Sequence, residues 1–159
     1  MKSAFDVIVI GGGQAGLASG YYLQRKGLSF QILEASGRAA GSWPKYYDSL
    51  KLFSPAKYSS LPGFRFPGNP NRYPLRDEVI DYLQEYAERF RLPILTHHKV
   101  ETVKKTGNGF EVQTTDKKTY YAKVVISATG SYHSPYNPKI AGLEQYRGQV
   151  LHASEYRNP

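Results

Sequence analysis

The chain opens on an almost unbroken apolar run, Phe5-Asp6-Val7-Ile8-Val9-Ile10, which breaks at Gly11-Gly12-Gly13. A run this short and this rich in β-branched residues predicts a strand buried on both faces, as parallel strands are. The hydrophobic period then lengthens. Leu17, Ala18, Tyr21 and Tyr22 fall at helical spacing, which predicts a helix over 15–26 with Gly27 at its C-terminal end. Residues 29–33 predict a second short strand that ends in Glu34. The clearest helix covers 75–91, where Val79, Tyr82, Leu83, Tyr86, Ala87 and Phe90 form one apolar stripe. Asp77 and Glu78 stand in its first turn, Arg89 and Arg91 in its last, and Pro93 is expected to end it. Strand patterns follow over 94–96, 99–105, 109–115 and 118–122, with turns at Gly107-Asn108-Gly109 and Asp116-Lys117, and suggest an antiparallel meander. The run Val124-Val125-Ile126 within 123–128 reads as a separate return to the parallel sheet, closing on Ala128-Thr129-Gly130.

Gly11, Gly13 and Gly16 have G-x-G-x-x-G spacing between the first strand and the first helix. The first glycine permits the tight turn. The second leaves room for a pyrophosphate against the backbone, and the third lets helix and strand pack closely. The helix that begins at Gln14-Ala15 aims its free N–H groups and positive dipole end at the same place. Glu34 lies about 20 residues beyond the glycines, where a carboxylate can bind a ribose 2′-hydroxyl. The expected architecture is therefore α/β: one domain over 1–159 with a Rossmann-like parallel sheet and an inserted antiparallel meander. A negative Glu34 repels a 2′-phosphate and favours FAD or NAD over NADP, although Arg38 is close enough in sequence to weaken that preference. The plainer alternative is an ordinary βαβ unit with a surface glutamate.

Between the two helices the pattern loses its periodicity. Ala35 through Gly41-Ser42 is built of small residues that leave backbone open to a ligand, and Trp43, the only tryptophan, suits a core filler equally well from composition alone. Residues 44–74 carry six of the 10 prolines yet are rich in aromatic residues. A loop of this length is functional or disordered, and its aromatics argue for order, pinned against a cofactor or another domain. The part of it left uncovered, with one sheet edge, makes self-association an expectation.

Composition adds exclusions. The chain has 159 residues and no cysteine, which removes redox-active thiol pairs and thiolate metal sites. His97, His98, His133 and His152 show no metal-ligand spacing, so each is expected to be structural or exposed and no metal is expected. The formal charge of +8 and 14 tyrosines raise nucleic-acid binding as a second hypothesis. The basic residues are dispersed, however, and only Lys104-Lys105 and Lys117-Lys118 are adjacent, so no nucleic-acid partner is expected. No apolar run reaches a membrane span, and the first strand begins without a signal sequence, so a cytoplasmic protein without a membrane partner is expected.

Taken in order, Gly11-Gly12-Gly13-Gln14-Ala15-Gly16, Glu34, Gly41-Ser42-Trp43, Tyr47-x-x-Leu50-x-Leu52-x-Ser54-Pro55, Tyr73-Pro74, Ala128-Thr129-Gly130-Ser131-Tyr132 and Tyr146-x-Gly148-x-x-x-His152-x-x-x-Tyr156 resemble the flavin-dependent monooxygenase superfamily, which includes flavin-containing and Baeyer–Villiger monooxygenases. The last element is similar to the family's F-x-G-x-x-x-H-x-x-x-[WY] signature, with tyrosine for phenylalanine. The resemblance implies FAD, with its pyrophosphate on residues 11–16, its adenosine ribose on Glu34, its adenine at the Val100 backbone, and its flavin near Trp43 and the loop that follows. It also implies reduction by NADPH and oxygenation of a small-molecule substrate with O₂, with no cysteine required. The family's second glycine motif, for NADPH, is not within these residues. The chain is therefore expected to be part of a longer protein with two dinucleotide domains, the second of them holding NADPH, and to be incomplete for catalysis. Which residues are catalytic, and which substrate is used, do not follow from it. A stand-alone FAD module with a partner, or a non-flavin NAD-linked enzyme, are the alternatives.

Overall fold

The structure, a computed structural model, describes residues 5–132 and 135–158. His133 lies outside the described residues. One six-stranded mixed sheet forms the centre, in the order β3-β2-β1-β6-β5-β4. In chain order the elements are β1 (Phe5–Ile10), α1 (Gln14–Arg25), β2 (Phe30–Leu33), α2 (Arg76–Arg89), β3 (Ile94–Leu95), β4 (Val100–Thr106), β5 (Gly109–Thr114) and β6 (Thr119–Ser127). Strand β1 lies parallel to β2 on one side (Val7 beside Phe30, Ile10 beside Leu33) and to β6 on the other (Val7 beside Val124, Ile10 beside Ser127). The α/β fold with an antiparallel part is as the hydrophobic pattern implied.

The patterns at 118–122 and 123–128 are not two strands but one, so the expected antiparallel meander and the return to the parallel sheet share a strand. Nothing between Thr119 and Ser127 can turn the chain: the stretch holds no glycine, proline or asparagine. Its first half pairs antiparallel with β5 and its second half parallel with β1. Ala122 is the hinge of this arrangement, opposite Phe110 on one side and Phe5 on the other, and it is buried. The hairpin β4–β5 therefore extends the same sheet.

Both helices feed one core. Val7 and Val9 from β1, Phe30 and Ile32 from β2, Leu17 and Leu23 from α1, and Val79, Tyr82, Leu83 and Tyr86 from α2 form a single buried cluster. On the other side Ile8, Leu33, Val112 and Ala122 form a smaller cluster with Val100 and Tyr120 packed against it. α1 lies close to the sheet because its inner face carries glycine: a Cβ on Gly20 would stand 2.9 Å from Ile32 Cδ1, and one on Gly16 would stand 1.9 Å from the Gly11 carbonyl oxygen. α2 ends before Pro93 is reached. Arg91 takes a left-handed φ of 48°, its N–H bonds the Glu88 carbonyl, and the Leu92 N–H reaches back to Ala87, so a Schellman closure terminates the helix.

The long stretch between the Trp43 turn and α2 is ordered by the domain itself. Its two limbs run back along each other through Leu52 N–H to Pro74 O (2.8 Å), Ala56 N–H to Arg72 O (2.9 Å) and Lys57 N–H to Pro70 O (3.0 Å). Its middle is fastened to α2 by two buried tyrosines. The Tyr82 hydroxyl accepts from Leu61 N–H at 2.7 Å and donates to Phe64 O at 2.6 Å, while the Tyr86 hydroxyl donates to Pro62 O at 2.6 Å. Phe64 stacks on the Tyr82 ring, and Phe66 packs at 4.5 Å from it. The expected anchor, a cofactor or another domain, is thus replaced by α2 for this middle part. Phe53 and Tyr58 at the outer edge remain exposed, Phe53 completely.

The unequal bonding of the two tyrosines sets a test. Tyr82→Phe strands a backbone N–H and a carbonyl in part-buried surroundings, and should lower the unfolding free energy by about 1–3 kcal/mol. Tyr86→Phe strands only one carbonyl, which retains a second acceptor site, and should cost about 1 kcal/mol or less. Denaturant unfolding of the two variants checks the order; equal losses would show that ring packing, not the hydroxyls, holds the loop.

Candidate functional site

The parallel pairing of β2, β1 and β6 runs one residue past each strand. Gly11 N–H bonds Leu33 O at 2.8 Å, and Ala128 N–H bonds Ile10 O at 2.9 Å. Three chain segments therefore leave the sheet side by side at its C-terminal end, the place where open α/β sheets bind ligands. A cleft of about 720 Å³ opens there. Its walls include Gly11, Gly13, Gln14 and Ala15 from the first turn, Glu34 and Ala35 after β2, Gly41, Ser42 and Trp43 from the next loop, Val100 at the start of β4, and Ala128, Thr129 and Gly130 after β6. Of the residues assigned to the cofactor from sequence, Gly12 and Gly16 do not line it. Gly16 sits beneath the turn, where its missing Cβ lets α1 touch the Gly11 carbonyl.

The glycines serve contacts between these segments. Gly11 has a φ of 108°, and a Cβ there would lie 2.3 Å from Ala128 O. A Cβ on Gly12 would meet the Glu34 side chain at 3.1 Å, and one on Gly13 would meet Gly41 Cα at 3.3 Å. Gly41 and Gly130 both have positive φ, and a Cβ on Gly130 would reach Ser42 Oγ at 3.3 Å. Turn and neighbouring loops are fitted backbone to backbone, so the floor of the cleft is nearly free of side chains.

α1 starts at that floor. Its N-cap is Gly13, in extended conformation, with no side-chain cap, and its first turn holds no acid. The first bond of the helix is Leu17 N–H to Gly13 O at 2.9 Å, which leaves the N–H groups of the turn before it directed out of the helix end. Such an end attracts an anion.

Glu34 is the one acid in the cleft wall, and it is buried. One carboxylate oxygen accepts Gly12 N–H at 2.6 Å and the other accepts Ser36 N–H at 2.7 Å. The carboxylate thus braces the glycine turn against the end of β2, a structural task that sequence reasoning had not assigned to it. Each oxygen retains a second acceptor direction. The Glu34 backbone is fixed as well, by its N–H to Leu95 O and by His98 N–H to its carbonyl.

Trp43 is both wall and packing. Its ring is packed at the margin of the main core and lines the cleft, and Nε1 donates to Gln14 Oε1 at 2.9 Å. Tyr46 continues the aromatic wall, with ring centroids 5.2 Å from Trp43 and 4.4 Å from Tyr132. Burial, and secondarily the neighbouring Tyr132, push the Tyr46 phenol above its ordinary value.

Sequence reasoning missed Tyr46, Lys45, His98 and Lys99 among the wall residues. Tyr46 and Lys45 follow Trp43 directly, and His98 and Lys99 precede Val100, so adjacency to predicted positions was the available signal. His98 is half-buried: Nδ1 lies 2.7 Å from Thr96 O and carries the proton in a neutral ring, while Nε2 faces Lys118 Nζ at 3.3 Å. Lys118 also pairs with Asp116, whose carboxyl is held down at about 2 by Thr114 and Lys118. Among the described residues no group of His, Asp or Glu could hold a metal ion, and no helix is long and apolar enough to cross a membrane.

Comparison with known proteins places this architecture. A family model described as pyridine nucleotide-disulphide oxidoreductase matches residues 8–159. An uncharacterized CzcO-like oxidoreductase of Geobacillus kaustophilus is 43% identical over 100% of this chain and 45% of its own length. A probable indole-3-pyruvate monooxygenase of Arabidopsis thaliana, YUCCA1, is 37% identical over 95% of this chain and 37% of its own. The solved structure of a flavin-containing monooxygenase from Stenotrophomonas maltophilia matches with a TM-score of 0.93 at 43% identity, over 99% of this chain and 48% of that one. The chain spans less than half the length of these relatives. It belongs to the pyridine nucleotide-disulphide oxidoreductase family, as an N-terminal portion of the flavin-dependent monooxygenase kind.

Proposed function

We propose that the cleft binds FAD and that the chain is the FAD-binding part of an NADPH-dependent flavoprotein monooxygenase acting on a small-molecule substrate. The observation that carries this reading is the uncapped, acid-free start of α1, set over a floor without side chains and beside a buried carboxylate. Gly11, Gly13, Gln14 and Ala15 suit the pyrophosphate: the N–H groups of Gly13, Gln14 and Ala15 and the helix dipole favour negative charge there, while Gly11, whose own N–H is bonded to the Leu33 carbonyl, shapes the turn. The free acceptor directions of Glu34 suit the two hydroxyls of the adenosine ribose, with Ala35 and Val100 toward the adenine. Gly41, Ser42, Trp43 and the segment Ala128-Thr129-Gly130 suit the flavin side. Gly16 contributes through packing. A 2′-phosphate would meet the Glu34 carboxylate, which supports FAD over NADP in this cleft.

When bound, FAD supplies hydride acceptance and reaction with O₂. The chain's own residues bind and orient it: Gln14 holds the Trp43 ring through the indole N–H, and the aromatic wall of Trp43 and Tyr46 keeps water from that side. This chain has no cysteine and so supplies no thiol of its own for electron transfer to a disulfide. NADPH would be held by residues beyond this portion, as the greater length of the relatives suggests.

Titration with FAD, followed by flavin absorbance and fluorescence, should give one saturable site per chain. Gly13→Val should keep the native circular dichroism but lose FAD, since the new side chain presses on Gly41 and fills the cradle. Stoichiometric flavin in purified Gly13→Val would remove the pyrophosphate assignment. Glu34→Gln should weaken FAD by about 1.5–3 kcal/mol for each charge-assisted bond weakened. Because Glu34 also braces Gly12 and Ser36, the unfolding free energy of the ligand-free variant is measured beside it; unchanged FAD affinity would leave Glu34 with the bracing role alone.

A second measurement concerns turnover. A flavin exposed on one side, without a bound hydride donor, does not sustain oxygenation. Mixing the chain with FAD and NADPH should therefore oxidise NADPH no faster than free FAD does. Steady oxidation well above that background would show a self-sufficient enzyme.

A further inference from the structure

The aromatic wall of the cleft rests on a short turn, Trp43–Lys45, closed by Lys45 N–H to Ser42 O at 2.9 Å and Tyr46 N–H to Trp43 O at 3.1 Å. Its own backbone bonds leave the Pro44 and Tyr46 carbonyls to side chains. Arg157 Nη1 donates to both, at 3.1 Å and 3.0 Å. Arg76, at the start of α2, donates from Nη1 to the same Tyr46 carbonyl at 2.9 Å, so two guanidinium groups occupy both acceptor directions of one oxygen. Asp48 joins the two. Its carboxylate pairs with Arg76 and accepts Asn158 Nδ2 at 2.8 Å, and its backbone N–H bonds the Arg157 carbonyl at 3.1 Å. The Tyr156 ring packs 5.9 Å from Tyr47. Arg76 is largely covered, whereas Arg157 is exposed.

We propose that Arg157 is a positioning residue for the cleft, acting through the 43–46 turn to fix the Trp43 and Tyr46 rings and so coupling the 156–158 segment to the cofactor wall. The reading of what the wall contacts rests on the cleft being the FAD site. Geometry explains why arginine serves here. The planar fork presents two N–H groups from one nitrogen to two carbonyls separated by one residue, and a lysine ammonium offers no such preset spacing. Burial does not hold the 156–158 segment, since all three residues are exposed, so these polar ties, with the Tyr156–Tyr47 ring contact, register it against the turn.

The test uses Trp43, the only tryptophan, as an internal reporter that needs no ligand. In the ligand-free chain Arg157→Ala should lower the fluorescence anisotropy of Trp43 and shift its emission to the red, while the thermal midpoint stays at the unaltered value because Arg157 is exposed. With FAD, the same variant should bind about three- to ten-fold more weakly, the loss appearing mainly in the dissociation rate, and the visible circular dichroism of bound flavin should change. Arg157→Lys should recover part of each signal. Asp48→Ala, which releases Arg76 and Asn158 together, should move Trp43 in the same direction. Unchanged Trp43 emission and anisotropy in Arg157→Ala would overturn the proposal, and so would a fall in the thermal midpoint that accounts for the shift. If the unaltered chain takes up no FAD, the cofactor reading fails separately, and the ligand-free Trp43 signals still decide the positioning role. Should Arg157→Ala not fold, Arg157→Lys decides by the same readouts.

Discussion

Close approach of bare backbone is the constraint on which this molecule depends. At the C-terminal end of the sheet the glycine turn touches the segment after β6 through Gly11, the end of β2 through Gly12, the 41–43 loop through Gly13 and the first turn of α1 through Gly16. In the tightest of these, a Cβ would be 1.9 Å and 2.3 Å from carbonyl oxygens, distances that no side-chain adjustment can relieve because the opposing atoms are backbone. The turn therefore fixes how far apart β1, β6 and α1 can sit. The same absence of side chains that lets the protein close on itself leaves the N–H groups at the start of α1 facing the cleft, while those of Gly11 and Gly12 are used within the fold. Packing and anion recognition are two consequences of one composition.

Glu34 shows how the site is held ready. A buried carboxylate normally carries a large desolvation cost unless its oxygens are bonded. Here both oxygens receive a backbone N–H, from Gly12 and Ser36, and the charge stands near the positive end of α1. The carboxylate is thereby preorganised: its rotamer is set before any ligand arrives, and a ribose would meet acceptors already in place. The two N–H bonds also join the first βα turn to the end of β2, so the part of the cleft that suits the pyrophosphate and the part that suits the ribose are mechanically one unit.

Most of this was legible in the amino-acid order where the relevant interactions are local. Val7-Ile8-Val9 predicted a strand buried on both faces because apolar runs report burial directly, and the glycine spacing located the turn because positive φ and close approach demand glycine. What was not legible depends on distant partners. The continuity of β6 across Ala122 depends on Phe5 and Phe110 lying on opposite sides of it, which no local pattern in 118–128 reports. The stop of α2 at Arg91 is a left-handed non-glycine residue, for which sequence carries only a weak signal beside the obvious Pro93. His98 looked structural, and only the bond from its N–H to the Glu34 carbonyl explains why it faces the cleft. The anchoring of the proline-rich loop was likewise hidden, since Tyr82 and Tyr86 read as ordinary members of an apolar stripe while their hydroxyls serve a segment some 20 residues away.

Two kinds of attachment are used along this chain, and they differ in what they allow. The proline-rich stretch is joined to α2 through Tyr82 and Tyr86, whose rings belong to the main core, so its release requires disturbing part of that core. The 156–158 segment is joined to the cleft wall by guanidinium, carboxylate and amide groups that remain in contact with solvent. Each is a hydrogen bond with one charged partner, individually modest when exposed, so their strength lies in number and in the planar geometry of the arginine. A tie of this kind can open without disturbing the sheet. The wall formed by Trp43 and Tyr46 is therefore held in both ways: the Trp43 ring by packing at the margin of the core and by Gln14 at the start of α1, and the turn that carries it by bonds open to solvent, so the base of the site depends on close packing and its aromatic side on packing and charge together.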